Sequence, residues 1–171
     1  MTRQVAGASP STSASIEALD WQAELANGEF ETIVRQAQHV GLESCLGEAR
    51  AADLAVLADA ARYGRHDDIA RRALLTQRRR FPLSAAATDA AFLLGRLEEA
   101  EQHAVDAIEW YGRYLADAAM GTYASEALGR KMTLTQRLYG EDRARDLARE
   151  YVDHFPQGTY ATRARSLARM P

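Results

Sequence analysis

The tetrapeptide Gly-Thr-Tyr-Ala occurs twice, beginning at Gly121 and again 37 residues later at Gly158. A step of that size, if it organises the rest of the chain, restricts the fold to a stack of similar supersecondary units. The step does extend. Ala70, Ala107 and Ala144 stand in register, followed four residues later by Leu74, Tyr111 and Ala148, and three after that by Tyr114 and Tyr151. Pro82 and Pro156 are two steps apart, with Ala119 midway, and one step back from Ala70 come Ile33, Ala37 and Val40. The spacing i, i+4, i+7 within each set marks one face of an α-helix. The tetrapeptide therefore reads as a seam between units, not as a catalytic element used twice.

Each unit reads as two helices. The first runs into a turn near Gly28, Gly64 or Gly140, and the second ends at a Phe-Pro pair, Phe81-Pro82 or Phe155-Pro156. Proline cannot continue a helix and restrains the residue before it. Ser15 is the expected first N-cap, with Glu17 favourable in the first turn. The expected helices are 15–27, 29–42, 49–63, 66–80, 84–98, 102–117, 121–138, 141–154 and 158–168. That makes four pairs and a closing helix, a repeat domain over 15–171, with residues 1–14 expected to be disordered. "GRLEEAEQ" from Gly95 looks like a turn, but the 37-residue register puts that turn at Glu101 to His103, and the register also explains Trp110, Tyr111 and Tyr114. Alanine at the closest approaches of packed helices, opposite tyrosine and leucine, accounts for the small-large stripe.

Composition excludes several classes. Strand alternation is absent, and the abundant alanine, leucine, arginine and glutamate favour helix, so the class is all-α. A net charge of −3 gives no global basic field for nucleic acid. Cys45, the single cysteine, permits no internal disulfide. No run approaches the length of a membrane span, and the first residues lack the apolar core of a secretion signal.

Helix pairs of 34 to 37 residues with "LLGR" (93–96), "ALGR" (127–130), an alanine/aromatic second helix and a closing proline resemble tetratricopeptide (TPR) repeats over about residues 16–168. "AIEWYGRYL" (107–115), "ASEALGR" (124–130) and "AREYVDHFPQGTYA" (148–161) are similar to the repeats of BamD-type outer-membrane assembly lipoproteins. They are more similar still to the C-terminal repeats of membrane-anchored FecR-like or anti-sigma-type regulators of myxobacteria. The first unit has Trp21 but no Leu-Gly pair after it, and the second lacks both, so the pattern is firmer in the C-terminal half. The resemblance implies a right-handed superhelix of antiparallel helix pairs. It also implies a non-enzymatic module that binds a peptide or partner helix in a concave groove, in the periplasm or tethered to a membrane. Carried over, it places Arg96 and Arg130 facing that groove, with Asp89, Phe92, Tyr123 and Glu126 on the same faces by i, i+3/i+4 spacing; the alternative is that Arg96 and Arg130 pair with Glu99 or Glu126 within the array. An incomplete array of this kind can also pair with itself.

No phosphate loop, serine-hydrolase elbow or zinc-protease helix motif is present. His66 and His103 are one step apart, at turns where exposed side chains are expected in place of a metal site. The acid pairs Asp67-Asp68, Glu98-Glu99 and Glu141-Asp142 sit near helix starts or turns, where acids favour the dipole. Neither a cofactor nor a small-molecule substrate is expected. "RRALLTQRRR" (71–80) offers five arginines and hence an alternative, a nucleic-acid-binding array. On a helix, Arg71, Arg72, Arg78, Arg79 and Arg80 spread around the circumference, as on a solvated face.

Overall fold

A computed structural model describes residues 20–169. Among the described residues there are ten α-helices and no strands. In the first half these are α1 (Trp21–Ala26), α2 (Phe30–Val40), α3 (Leu42–Glu48), α4 (Ala51–Tyr63) and α5 (Asp67–Arg80). The rest are α6 (Ala85–Ala100), α7 (Ala104–Asp117), α8 (Ala124–Tyr139), α9 (Glu141–His154) and α10 (Ala161–Ala168). The chain divides into two compact units, one ending at Gln77 and the other beginning at Arg78. No helix among the described residues is long and apolar enough to cross a membrane.

Within the described residues α1 begins at Trp21, where Asp20 caps it: its carboxylate accepts from the amide of Ala23 at 3.2 Å. Ser15, Glu17 and the segment 1–14 lie outside the described residues. The expected gap after residue 42 contains α3, a seven-residue helix set off from α2 by Gly41 at φ 101°. It is held by burial of Cys45 and Leu46. The helices expected from 121 and 158 start three residues later, since Gly-Thr forms the turn and Tyr123 and Tyr160 are the cap residues. The register is upheld at Gly95: α6 runs through it to Ala100, and the turn lies at Glu101 to His103.

A backbone signature repeats where the sequence shows none. Gly28, Arg65 and Gln102 have φ of 78°, 61° and 65°, and each is one 37-residue step from the next. The following amide reaches back five residues in each case, Glu29 to Glu24 O, His66 to Ala61 O and His103 to Glu98 O, all at 2.8 Å. This is the closure that a left-handed residue gives a helix end. The fourth turn breaks the step by one residue, at Gly140 with φ 87°.

In the first unit, Trp21 is buried and its indole N–H donates to Gln36 at 2.7 Å. Ile33, Leu54 and Leu57 of the same unit are fully buried. In the second unit, consecutive helices pack as antiparallel hairpins: Phe92 on α6 meets Tyr111 and Tyr114 on α7, at equal remove from the turn. One core cluster joins α6, α7 and α8 through Phe92, Tyr111, Tyr114 and Leu134. The next joins α8, α9 and α10 through Leu128, Met132, Tyr151 and Leu167. Volume is traded between them. Gly95 lies under the Tyr111 ring, where a Cβ would come within 2.6 Å of the ring carbon. One step on, the same two places hold Met132 and Ala148, both fully buried. The close packing of protein interiors is met by either order of small and large.

Candidate functional site

The seam is built from a buried tyrosine and a glycine. Tyr114, near the end of α7, is buried, and its hydroxyl accepts from the Tyr123 amide at 2.9 Å. One step on, the Tyr151 hydroxyl accepts from the Tyr160 amide at 3.1 Å and meets Ser125 at 2.8 Å. Each hydroxyl thus satisfies an amide at the opening of the next first helix, one of the groups that no helix can satisfy internally. The glycines make room: a Cβ at Gly121 would lie 2.6 Å from the Tyr114 hydroxyl, and one at Gly158 would collide with that of Tyr151. Burial raises the Tyr114 hydroxyl pKa, and the amide it accepts from pulls it part of the way back.

Between α6 and α8 runs a ladder of charges. Arg96 donates to Glu126 at 3.0 Å. Arg130 donates to Glu126 at 2.8 Å and to Glu99 at 2.9 Å. The buried Tyr111 donates to the same Glu99 oxygen at 2.7 Å. Burial is the largest influence on Arg130 and pulls its pKa down, but the bonds to Glu126 and Glu99 more than offset it, so the guanidinium is held charged. Burial raises the Tyr111 hydroxyl well above its ordinary range, with the Glu99 hydrogen bond adding. The four charges balance, so the ladder stitches two first helices together.

Five of the six predicted residues meet on this face. Phe92 is buried and stacked on Tyr123, with centroids 4.4 Å apart and planes 3° from parallel. Tyr123, half-buried, caps α8 just ahead of Glu126, while Arg96 and Arg130 grip Glu126. The sixth, Asp89, lies on α6 three residues before Phe92, is half-buried and makes no ion pair among the described residues. Burial raises its pKa above the ordinary value, and its charge in turn pushes Tyr114 up. The alternative in which Arg96 and Arg130 pair with Glu99 or Glu126 within the array is the arrangement found; Tyr111 is the member that the sequence reading missed. The two Leu-Gly-Arg tripeptides are 34 residues apart and out of phase with the 37-residue step. Gly95 accordingly receives Tyr111 of its own pair, whereas Gly129 receives the Tyr160 ring of the next.

The arginine run is largely engaged. Arg72 pairs with Glu43. Arg78 donates to the Ala87 carbonyl at 2.8 Å and to Asp117 at 3.0 Å, and lies over Trp110. Arg80 covers the Phe81 ring. His66 meets Glu31 at 2.8 Å, and His103 meets Glu98 at 2.9 Å and Glu101 at 3.5 Å. The donor atoms of Glu98, Glu101 and His103 all lie within 4.8 Å of one another at the α6–α7 turn. They also close that turn as an ordinary acid–histidine contact.

No family model matches the chain, and no curated protein matches it significantly.

Proposed function

We propose that this chain is a non-enzymatic, TPR-like interaction module whose α6–α8 face holds a protein segment carrying a basic side chain. The observation that carries the reading is Asp89. Along this face every other charge is matched, Arg96 and Arg130 against Glu126 and Glu99. Asp89 alone in that set is half-buried with no ion pair among the described residues. It lies on α6 three residues before Phe92, whose ring stacks on Tyr123 to make a rigid platform with apolar faces and a polar rim, and its charge acts on Tyr114. A desolvated carboxylate is costly until a cation reaches it, and a partner lysine or arginine would supply one. Arg96 and Glu126, with side chains 45% and 39% exposed, can exchange their mutual bond for contacts with the same segment. A superhelical arrangement of the pairs and a membrane-tethered regulatory setting belong to the same proposal, through the resemblance to TPR-containing regulators.

The test is affinity capture from the source cells with the purified chain as bait, comparing it with Arg96→Ala plus Arg130→Ala. A partner retained by the native chain and lost by the double variant, with helicity unchanged by circular dichroism, supports the reading. Equal retention by a folded double variant removes the face from consideration. The nucleic-acid alternative gains no specific support, since Arg72, Arg78 and Arg80 already have contacts within the chain.

A further inference from the structure

The geometry points to a second docking surface, on the other side of α8, that takes an acidic amphipathic peptide. A cleft of about 770 Å³ lies between α7, α8 and α9, roomy enough for more than one side chain. Ile108 lines it from α7, Lys131, Thr135 and Tyr139 from α8, and Arg143 and Leu147 from α9. On α8 these residues follow i, i+4, i+8, about 100° to 180° round the helix from Arg130. The cleft is therefore separate from the charge ladder and from Asp89, and its occupancy does not depend on the function proposed above.

Its charge is what selects the occupant. Lys131, the chain's only lysine, makes no ion pair among the described residues, and neither does Arg143. The Lys131 ammonium reaches toward the α7 backbone at Gly112, where a Cβ would stand 3.3 Å from it. The one acid that lines the cleft, Asp146, is already held by Arg149 at 3.1 Å, and Asp142 on the same helix is held by Arg145 at 2.9 Å. Two uncommitted cations thus flank an apolar floor, in a chain whose net charge is −3. Tyr139, 54% exposed, forms an uncovered aromatic edge. Apolar side chains of a bound segment would lie on Ile108, Leu147 and Tyr139, with its carboxylates on Lys131 and Arg143. Arginine holds a carboxylate through two parallel bonds, and lysine as a point charge. The preference is opposite to that of the Asp89 face, which asks for a cation. Two segments of opposite sign can therefore bind one chain.

The experiment is an NMR titration of the isotope-labelled full chain with a synthetic peptide of about a dozen residues that alternates leucine or phenylalanine with glutamate. Its glutamine counterpart is the comparison. Saturable shifts confined to α7, α8 and α9 are expected. Affinity should fall about tenfold or more for the glutamine peptide and for Lys131→Glu or Arg143→Glu, and should be unchanged for Arg96→Ala. Each of these outcomes overturns the inference: no saturable binding, equal binding of the glutamine peptide, or shifts that map to α6 and Asp89. Concentration-dependent shifts of the same cleft without peptide would also overturn it and give the cleft to a second copy of the chain. Failure here leaves the Asp89 reading standing, because its capture assay involves neither Lys131 nor Arg143.

Discussion

At the scale of single residues, the repeated Gly-Thr-Tyr-Ala is a device for opening a helix. A hydroxyl from the preceding helix does the work that a serine or aspartate side chain does at an ordinary N-cap. Tyr114→Phe removes one such bond and Tyr151→Phe removes two, since the latter hydroxyl also meets Ser125. We expect losses of about 1 kcal/mol for the first and more for the second, because a half-buried amide is left unmatched. Denaturant unfolding measures both. Gly121→Ala should cost about 1–3 kcal/mol by driving a methyl group into the Tyr114 hydroxyl. Combined with Tyr114→Phe it should cost less than the two losses added, because both act on one contact. Strict additivity would show that the glycine is needed for something other than that hydroxyl.

At the scale of elements, the legible and the hidden parts differ for physical reasons. The apolar stripe of α5, α7 and α9 was visible because Ala70, Ala107 and Ala144 must all be small, whatever packs opposite. The stop signals at Phe81-Pro82 and Phe155-Pro156 were visible because proline acts locally, and α5 and α9 do end just before them. The turns were only partly visible. Their left-handed residue is glycine at Gly28 but Arg65 and Gln102 afterwards, so tertiary packing imposes a conformation that the side chains do not prefer. Replacing the exposed Gln102 by glycine should therefore stabilise the second unit by roughly 1 kcal/mol, read as a higher melting temperature. The small helix α3 was hidden because Gly41 precedes it, Gly47 lies within its last turn and only Cys45 and Leu46 are buried in it. At the candidate site, the spacing rule grouped Phe92, Arg96, Tyr123, Glu126 and Arg130. It could not reveal that Tyr111 joins Arg130 on the same Glu99 oxygen, a convergence that needs three helices.

At the scale of the whole molecule, a buried thiol in the first unit should make stability fall in alkali. Cys45, in the first unit, is fully buried, and burial with the charge of Asp53 pushes its thiol from 9.0 up to about 11. Between those values the folded state keeps its proton while the unfolded chain has lost it. The stabilisation is thus complete below about pH 9 and is lost as pH rises through about 11. Cys45→Ala should remove that part of the decline in denaturant titrations run at rising pH.

The central claim is that Asp89 is kept for a partner at a cost to the fold. Burial raises its pKa in the folded chain, so protonation favours folding, and an ionised Asp89 at neutral pH weakens it. Binding to a basic segment needs the ionised form and should strengthen as pH rises through the carboxylate range. The decisive measurement is partner capture by the native chain and by Asp89→Asn, with the melting temperature of each taken alongside. Capture lost in a variant that melts no lower than the native chain is the predicted result. Undiminished capture by Asp89→Asn would contradict the account.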